Sequence, residues 1–322
     1  MLPTHDKTFF PPHFNGERFF NPDGKQARAL LDVLRWKLKT RSASSPPWID
    51  DVRPAVPARS LPKQQIRITL VNHSTVLVQA NGLNILTDPV WSERASPFSF
   101  IGPRRRRAPG VRFEDLPPID LVLLSHNHYD HLDLPTLRQL MRRHRSEYVV
   151  PLGLAKLFVK HRLGAAHELD WGDSFPFRDV VIHAVPALHF SARGLRDRNR
   201  TLWCGYLLET ASGPIYFAAD TAYGEHFAAI QNRYGPPCVA LLPIGAYQPR
   251  WFMSAVHMNP EDAVGAHQTL GAQTSVAIHH GTFQLADEAL DAPRKELKEC
   301  LRKTGIDSKR FPVLANGESA DF

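Results

Sequence analysis

Ser125-His126-Asn127-His128-Tyr129-Asp130-His131-Leu132-Asp133 places three imidazoles and a carboxylate within six residues. The segment directly follows the apolar run Ile119-Asp120-Leu121-Val122-Leu123-Leu124, which Pro117-Pro118 precede. A short apolar run with such a boundary is typical of a buried strand. The His-x-His-x-Asp-His cluster is therefore expected in the loop at the end of that strand and at the start of the next helix.

This cluster has the chemistry of a metal site. Neutral imidazoles and carboxylates are common ligands of zinc and similar divalent ions. Four such groups this close together can bind two adjacent ions, with His126 and His128 on one and Asp130 and His131 on the other. The alternative is a polar loop with coincidental histidines. We disfavour it because clustered His and Asp at a strand end have no structural use that offsets their crowding.

Three more ligand-type residues follow apolar, strand-like runs. His189 ends the run at 180–188, Asp220 ends 215–219, and His279 follows Val276-Ala277-Ile278. Binding sites in layered α/β folds are built at strand ends. Each residue alone could be a satisfied loop residue, but the three together are expected to complete a site for two metal ions.

The sequence around these residues resembles the metallo-β-lactamase superfamily, and within it the N-acylphosphatidylethanolamine-hydrolysing phospholipase D family. The likeness runs from about Phe19-Phe20-Asn21-Pro22 to the helix after Phe283, nearly the whole chain. The His/Asp cluster specifies only the superfamily, and the flanking motifs point to the phospholipase branch. These motifs are Thr87-Asp88-Pro89-Val90-Trp91, Arg94-Ala95-Ser96-Pro97, Gly102-Pro103, Leu116-Pro117-Pro118-Ile119-Asp120 and Ile278-His279-His280-Gly281-Thr282-Phe283.

Strands and helices alternate after an initial meander at 66–87, which predicts an α/β fold of two mixed sheets covered by helices. The resemblance implies the four-layer αββα sandwich of the metallo-β-lactamase type. We expect residues 63–322 to form this hydrolase domain. Residues 1–62 are expected to form an N-terminal arm with one helix at Gln26–Lys39, packed on the main domain or on a partner subunit. The other predicted helices are Leu134–Arg143, Leu152–Leu163, Pro260–Leu270 and Asp287–Thr304.

The resemblance also assigns the ligands of two Zn²⁺ or similar divalent ions per chain. His126, His128 and His189 would hold the first ion. Asp130, His131 and His279 would hold the second, with Asp220 bridging both. The family pattern tends to carry an aromatic residue where His280 stands. Since adjacent strand residues point to opposite faces, only one of the pair can be a ligand, and we choose His279.

Other residues are candidates for supporting or catalytic roles. Asp88 is expected to accept the second N–H of a ligating imidazole, although an Asp-Pro turn would also explain it. His73 could support the site at the cleft or be an ordinary turn histidine. His257 matches a family histidine near the substrate, and we expect it to be the acid that protonates the leaving group. Asp130 is a second candidate catalytic residue. Asp133 is expected to cap the helix that begins at Leu134.

The function implied by the resemblance is hydrolysis of N-acylphosphatidylethanolamine to N-acylethanolamine and phosphatidic acid. The nucleophile would be a hydroxide bridging both ions, because each ion lowers the pKa of bound water towards 7. Two alternatives stay open, since fold does not choose the substrate. One is a cytoplasmic binuclear metallohydrolase of a small soluble ester, lactone or phosphodiester. The other is a metal-bearing scaffold that binds a ligand without turnover.

Composition narrows the partners and the compartment. The formal net charge of +7 favours acidic partners such as anionic lipid headgroups, which suits a phospholipid substrate. The sequence has no basic stripe with interleaved aromatic residues, so it does not predict nucleic-acid binding. Three widely separated cysteines indicate a reducing compartment, and we find no signal-peptide core or membrane-spanning apolar run. We therefore expect a cytoplasmic protein, compatible with peripheral association on the inner face of a membrane. The family precedent suggests a homodimer.

The segment Phe98-Ser99-Phe100-Ile101-Gly102-Pro103-Arg104-Arg105-Arg106-Arg107 has the chemistry of a membrane-docking surface. Phe98 and Phe100 would insert into the interface, and the four arginines would attract anionic headgroups. A second stretch of this kind is Arg193–Arg200 with Trp203 behind it. The alternative is that the arginines form a solvated loop, or pair with Glu114 and Asp115.

Overall fold

The first of two sheets is built from an antiparallel meander extended by parallel strands. The computed structural model describes residues 10–24, 32, 35, 36, 38, 43, 44, 46–194 and 196–322. Within these residues the sheet has the order β13-β1-β2-β3-β4-β5-β6. Its strands are β1 (Arg67–Asn72), β2 (Thr75–Ala80), β3 (Leu83–Thr87), β4 (Leu121–Leu123), β5 (Glu147–Pro151), β6 (His167–Leu169) and β13 (Ser319–Asp321). Asn81 and Gly82 both have positive φ and form the predicted tight turn between β2 and β3.

The second sheet is also mixed, with the order β12-β11-β10-β9-β8-β7 over the described part of the chain. Its strands are β7 (Ser174–Phe177), β8 (Val180–Val185), β9 (Gly205–Glu209), β10 (Ile215–Phe217), β11 (Val239–Pro243) and β12 (Thr274–Ile278). The pairs β10–β11 and β11–β12 are parallel, and the remaining pairs are antiparallel. Carboxyl ends of strands from both sheets therefore carry loops that can meet at a common edge.

Helices cover the outer face of each sheet. Leu137 and Phe158 pack on the first sheet from α1 (Leu134–Arg143) and α2 (Ala155–His161). Residues of α3 (His226–Tyr234), α5 (Pro260–Leu270) and α6 (Ala292–Thr304) pack on the second sheet, and the short α4 (Arg250–Met253) lies in a connection. The architecture is therefore the predicted four-layer αββα sandwich.

The strands read as apolar runs because both faces of each sheet are buried. In β2, Val76 and Val78 belong to the core between the two sheets, whereas Leu77 packs outward beneath the helices. The period of two along a strand accounts for this division. The inter-sheet core also includes Phe10 and Phe19 from the N-terminal arm.

Several predicted elements differ from the observed ones. The helix expected at Leu152–Leu163 is limited to Ala155–His161, and the one expected from Asp287 begins at Ala292, just before Pro293. Asp133 occupies the N-cap position of α1, but its side chain makes no capping hydrogen bond. The carboxylate instead accepts hydrogen bonds from the backbone of Trp91 and Ser92, which ties the loop after β3 to the helix.

Described parts of the arm contact the main domain. Asp51 pairs with Arg107 (Nε–Oδ1 2.9 Å), and Trp36 Nε1 donates to Asp287 (2.6 Å). The helix predicted at Gln26–Lys39 lies largely outside the described residues. Among the described residues there is no helix with the length and apolar character needed to span a membrane.

Two glycines provide a test of the packing. A Cβ added at Gly110 would lie 1.7 Å from the backbone nitrogen of Gly317, where the connection after the Arg104–Arg107 segment crosses the C-terminal segment. Because backbone cannot yield as a flexible side chain can, we expect Gly110→Ala to lower the free energy of unfolding by about 2 kcal/mol or more. Urea denaturation monitored by circular dichroism measures this change.

The matched control is Gly265→Ala in α5, where a Cβ would have its nearest neighbour at 3.5 Å. Alanine favours a helix interior over glycine by up to about 1 kcal/mol, so this variant should be unchanged or more stable. Equal unfolding midpoints for the two variants would contradict the crossing at Gly110.

Candidate metal centre

The predicted ligands converge on one edge of the sandwich. The loop after β4 supplies His126, His128, Asp130 and His131, and the loops after β8, β10 and β12 supply the others. Loops that follow strands of both sheets thus contribute the predicted ligands. The backbone is strained there, since His73, Asp88, Ala219 and His279 all have positive φ, which non-glycine residues rarely adopt.

The first ligand group consists of His126, His128 and His189. His128 Nδ1 lies 2.8 Å from His126 Nε2 and 3.2 Å from His189 Nε2. In His126 and His189, the ring nitrogen that points away from His128 has another partner. His126 Nδ1 contacts Ser125 Oγ (2.8 Å), and His189 Nδ1 contacts the carbonyl oxygen of Val256 (2.9 Å). Donation through Nδ1 leaves both Nε2 lone pairs facing His128.

Burial keeps these imidazoles neutral. It lowers the pKa of His128 to about 3 and that of His189 to about 4, and it holds the pKa of His126 well below its ordinary value. Neutral imidazole is the form that binds a metal ion. The first group is therefore a set of three available nitrogen ligands at neutral pH.

The second ligand group consists of Asp130, His131 and His279, with Asp220 beside it. Asp220 Oδ2 lies 3.2 Å from His131 Nε2 and 3.1 Å from His279 Nε2. Asp130 Oδ2 lies 3.3 Å and 3.5 Å from the same two nitrogens. Asp220 Oδ2 is also 3.8 Å from His189 Nε2. The Asp220 carboxylate thus lies between the two groups, where a bridging ligand would have to be.

In contrast to the first group, the imidazoles of the second group are held in the protonated form. Burial lowers the pKa of His279, but Asp220 and Asp130 outweigh it and raise this pKa to about 9. The same carboxylates raise the pKa of His131 well above its ordinary value despite burial. Conversely, burial would raise the pKa of Asp130 and Asp220, yet His131 and neighbouring imidazoles hold both well below the ordinary range. Without metal, two protons compensate two buried carboxylates.

Several buried polar atoms here have no hydrogen-bond partner among the described residues. They include His279 Nδ1 and Asp220 Oδ1, whereas His131 Nε2 and His279 Nε2 lie near the carboxylates without a hydrogen bond of good geometry. Buried polar atoms usually have partners, so these atoms indicate a missing one. Divalent cations would satisfy them and replace the two protons. The imidazole and carboxylate donor set suits zinc and similar ions, and the residues therefore fit a metal centre.

Asp88 orients one of the ligand rings. Its Oδ2 accepts a hydrogen bond from His131 Nδ1 (2.7 Å), which directs His131 Nε2 towards Asp130 and Asp220. Its Oδ1 accepts from the backbone nitrogen of Ser125 (2.7 Å), and its Oδ2 also accepts from the Ser125 hydroxyl (2.6 Å). Ser125 therefore connects Asp88 with His126. This role of Ser125 was missed in the sequence, although the residue stands first in the motif.

His73 and His280 lie on different sides of His279. His73 is buried, its Nε2 lies 3.1 Å from Asp130 Oδ2, and its ring centroid is 4.0 Å from that of His279. Unlike an ordinary exposed turn histidine, it thus lies within the second group, because one of its ring nitrogens is within 4.8 Å of the ligand atoms of Asp130, His131 and His279. His280 Nε2 instead donates to the carbonyl of Ala277 (3.2 Å), and the side chain lines a small cavity with Arg107 and Arg294. Of the two adjacent histidines, His279 is the one beside the carboxylates.

Comparisons with known proteins agree with this geometry. A family model described as "Beta-lactamase superfamily domain" matches residues 83–280. "N-acyl-phosphatidylethanolamine-hydrolyzing phospholipase D 1" of Caenorhabditis elegans is 35% identical, over 98% of this chain and 95% of that protein. The chain belongs to the N-acylphosphatidylethanolamine-hydrolysing phospholipase D family of the beta-lactamase superfamily.

A second curated relative agrees with this membership, and a solved structure shares the fold. "N-acyl-phosphatidylethanolamine-hydrolyzing phospholipase D, mitochondrial" of Saccharomyces cerevisiae is 34% identical, over 75% of this chain and 53% of that protein. The crystal structure of isothiocyanate hydrolase from Delia radicum gut bacteria superposes with a TM-score of 0.62. At 23% identity, over 80% of this chain and 99% of that one, this second likeness shows the fold alone.

In this family member, His257 is close to the centre but does not have the electrostatics of an acid. Its Nδ1 lies 3.9 Å from Asp220 Oδ2, and its ring centroid is 5.0 Å from that of His189. Burial holds the pKa of His257 well below its ordinary value. A neutral ring must accept a proton before it can protonate a leaving group. The role predicted from the sequence therefore requires a prior proton transfer.

The prediction that four consecutive arginines form a docking surface is wrong for Arg105 and Arg107. Arg105 is buried and donates to the carbonyls of Val90 (3.1 Å) and Ser92 (3.0 Å). Arg107 is also buried and pairs with Asp51 and Asp291.

The segment is extended here, so its side chains alternate between the interior and the surface. Arg104 is exposed and lies 3.4 Å from Glu93, and Arg106 is half-buried. Phe98 and Phe100 are exposed, as expected.

The predicted pairing of Asp115 with the four arginines is also wrong, and the second basic stretch is exposed only in part. Asp115 pairs with Arg112, not with the four arginines. In the second stretch, Trp203 is buried, and the guanidinium of Arg193 stacks 3.9 Å from the ring centroid of Tyr129. The Arg193 guanidinium also donates to the carbonyls of Asn127 and Leu132, so it stabilises the loop that follows β4. Arg196 and Arg200 of the same stretch are exposed.

The adjacent histidines can be separated experimentally. We expect purified protein to hold about two equivalents of divalent metal. His279→Ala should lose a large part of the metal of the second group, because it removes a ring nitrogen beside Asp130 and Asp220. His280→Ala, the matched control, should retain the full complement, as measured by elemental analysis after dialysis. The reverse result would assign the ligand to His280.

Metal binding should release protons at neutral pH. His131 and His279 have raised pKa values, about 9 for His279, so both are protonated in the metal-free protein at pH 7 and must lose those protons to bind an ion. Affinity should therefore rise with pH from 7 to at least about 9. Isothermal titration with zinc at pH 7, in buffers of different ionisation enthalpy, should give at least about two protons released, one from each ring. Zero release would show that the carboxylates do not hold these imidazoles protonated.

Proposed function

We propose that this protein is a metal-dependent phosphodiesterase of the phospholipase D type. Its substrate would be N-acylphosphatidylethanolamine, and its products N-acylethanolamine and phosphatidic acid. The observation that carries the proposal is the 35% identity to the C. elegans phospholipase over 98% of this chain. The compact His/Asp site supports it, because two-metal sites catalyse the hydrolysis of phosphate esters in other enzymes.

The proposed cofactor is a pair of zinc ions. His126, His128 and His189 would hold one ion, Asp130, His131 and His279 the other, and Asp220 would contact both. When bound, the two ions would activate a water molecule for attack on phosphorus and stabilise negative charge on the phosphoryl oxygens. The protein's own contribution is to fix these ligands before the ions and the substrate arrive.

Orientation of the ligand rings is the first part of that contribution. Asp88, Ser125 and the carbonyl of Val256 each engage the far nitrogen of one ligand histidine, at 2.7, 2.8 and 2.9 Å. Because these partners are buried, the rings lose little freedom when the ions bind. Ligand supports of this kind typically alter metal affinity or activity by about 10- to 100-fold when removed.

Proton transfer is the second part. Hydrolysis cleaves the bond between phosphorus and the ethanolamine oxygen, and the departing oxygen must gain a proton while the attacking water loses one. His257 is neutral, and its buried Nδ1 lies 3.9 Å from Asp220 Oδ2. We therefore propose that the other ring nitrogen, Nε2, faces the substrate. We assign to His257 the transfer of the proton lost by water to the ethanolamine oxygen.

Product analysis tests the proposal. Metal-loaded protein incubated with N-acylphosphatidylethanolamine in H₂¹⁸O should release N-acylethanolamine and phosphatidic acid, with the label in the phosphatidic acid. Mass spectrometry of both products measures this outcome. Release of diacylglycerol would contradict phospholipase D chemistry, and label in the N-acylethanolamine would contradict attack at phosphorus.

Asp220→Asn is the matched inactive variant. It should lose nearly all turnover while keeping the native circular dichroism spectrum, because one carboxylate serves both ion positions. Full activity would contradict the shared-carboxylate centre. Cleavage of soluble diesters without cleavage of the lipid would favour the soluble metallohydrolase, and bound zinc without turnover of any ester would favour the scaffold.

A further inference from the structure

A two-stranded ribbon projects from the domain between β3 and β4. It comprises residues 93–105, and Arg94 and Arg104 form an antiparallel bridge near its base. Backbone hydrogen bonds from Ala95 to Pro103 (3.0 Å) and from Arg105 to Glu93 (2.8 Å) hold its two sides together. Its tip comprises residues 96–102, which lie between the two bridged positions.

The tip of this ribbon is apolar and exposed. Phe98 is 54% exposed, Phe100 78% and Ile101 58%, and the two phenylalanine rings lie 5.6 Å apart. Single exposed apolar residues are common on monomeric proteins, whereas contiguous clusters mark surfaces that contact something else. These three residues form such a cluster.

The exposed conformation is held in place by the ribbon itself. Arg94 spans the tip, because its Nε donates to the carbonyl of Ser99 (3.0 Å) and its Nη1 to that of Gly102 (2.6 Å). Gly102 has a φ of 97°, and a Cβ there would lie 2.6 Å from Ser96 Cβ, so glycine allows the tip to close. The apolar side chains are therefore presented by a fixed turn.

Exposed cations on α1 and α2 line one wall of a cavity next to the tip. The cavity has a volume of about 1040 Å³ and is lined by Phe98 together with residues of α1 and α2. Its cationic wall residues Arg138, Lys156 and Lys160 are exposed, and none of the three has an ion-pair partner in the described ranges. Tyr129, which stands between His128 and Asp130 in the ligand loop, also lines this cavity.

We propose that the ribbon tip inserts into the interface of an anionic lipid bilayer, with Arg138, Lys156 and Lys160 contacting the headgroups. Apolar insertion and electrostatic attraction together give reversible membrane binding. The unpaired cations beside the apolar tip favour an anionic bilayer over a neutral apolar partner. This docking rests on the proposed lipid substrate, and it places the ligand loop at the membrane surface.

Vesicles without N-acyl lipid test docking independently of turnover. Co-sedimentation would compare phosphatidylcholine vesicles with vesicles that also contain phosphatidylglycerol. Phe100→Asp/Ile101→Asp should weaken partition to both kinds at least about tenfold, because it removes the inserted apolar surface and adds charge. Val56→Asp is the control, since Val56 is 74% exposed but lies in the N-terminal arm. It should bind like the wild type.

A second pair of variants tests the cations. Lys156→Glu/Lys160→Glu in α2 should weaken binding to the anionic vesicles roughly fivefold or more per reversed charge and flatten its salt dependence. Partition to phosphatidylcholine should be unchanged. Lys295→Glu/Lys298→Glu makes the same charge change on α6, which covers the other sheet, and should have a much smaller effect.

Several outcomes would overturn the proposal. They are no vesicle binding by the wild type, unchanged binding by the tip variant, or equal losses for the α2 and α6 charge variants. Loss of self-association by the tip variant in sedimentation velocity, with vesicle binding intact, would identify the tip as a contact between copies of the chain. A protein that binds these vesicles but does not cleave N-acylphosphatidylethanolamine would contradict the proposed function and leave docking supported.

Discussion

Two buried carboxylates facing two buried imidazoles are the interaction on which the rest of the centre depends. Asp130 and Asp220 lie 3.1–3.5 Å from His131 and His279, away from solvent. Uncompensated carboxylates in such a position are strongly destabilising. Protons on the imidazoles compensate them in the metal-free protein, and cations would do so in the loaded one. The folded protein is therefore more stable when positive charge occupies this site, whether or not a substrate is bound.

The sandwich fold holds the residues of this site in fixed positions. The proposed ligands lie in loops after β4, β8, β10 and β12, so strands of both sheets fix their positions. Residues in unfavourable backbone conformations, such as Ala219 and His279, are held there by the packed layers around them. The apolar core between the sheets thus supplies the rigidity that a strained polar centre lacks. Stability and function reside in adjacent but chemically distinct parts of the molecule.

Sequence patterns predicted those parts that local order determines. The meander, the helix at Leu134–Arg143 and the ligand-type residues at strand ends follow from periodicity and position. Long-range partners were beyond reach: four consecutive arginines look alike in sequence, and only the positions of Asp51 and Asp291 distinguish Arg107 from its neighbours. The short strands β6 and β7 were missed because three or four residues give little periodicity. The neutral state of His257 likewise depends on burial by distant segments.

The ion pairs of Arg107 have a consequence for how the chain is held together. Its guanidinium contacts Asp51 in the arm, Asp291 just before α6, and the carbonyl of Gly281, two residues after His279. One buried cation thus joins three segments that are remote in sequence. Shortening the arm past Asp51 would leave that charge only partly compensated, next to the turn that carries His279. The arm therefore helps to hold in place the end of β12 that leads into the proposed metal centre.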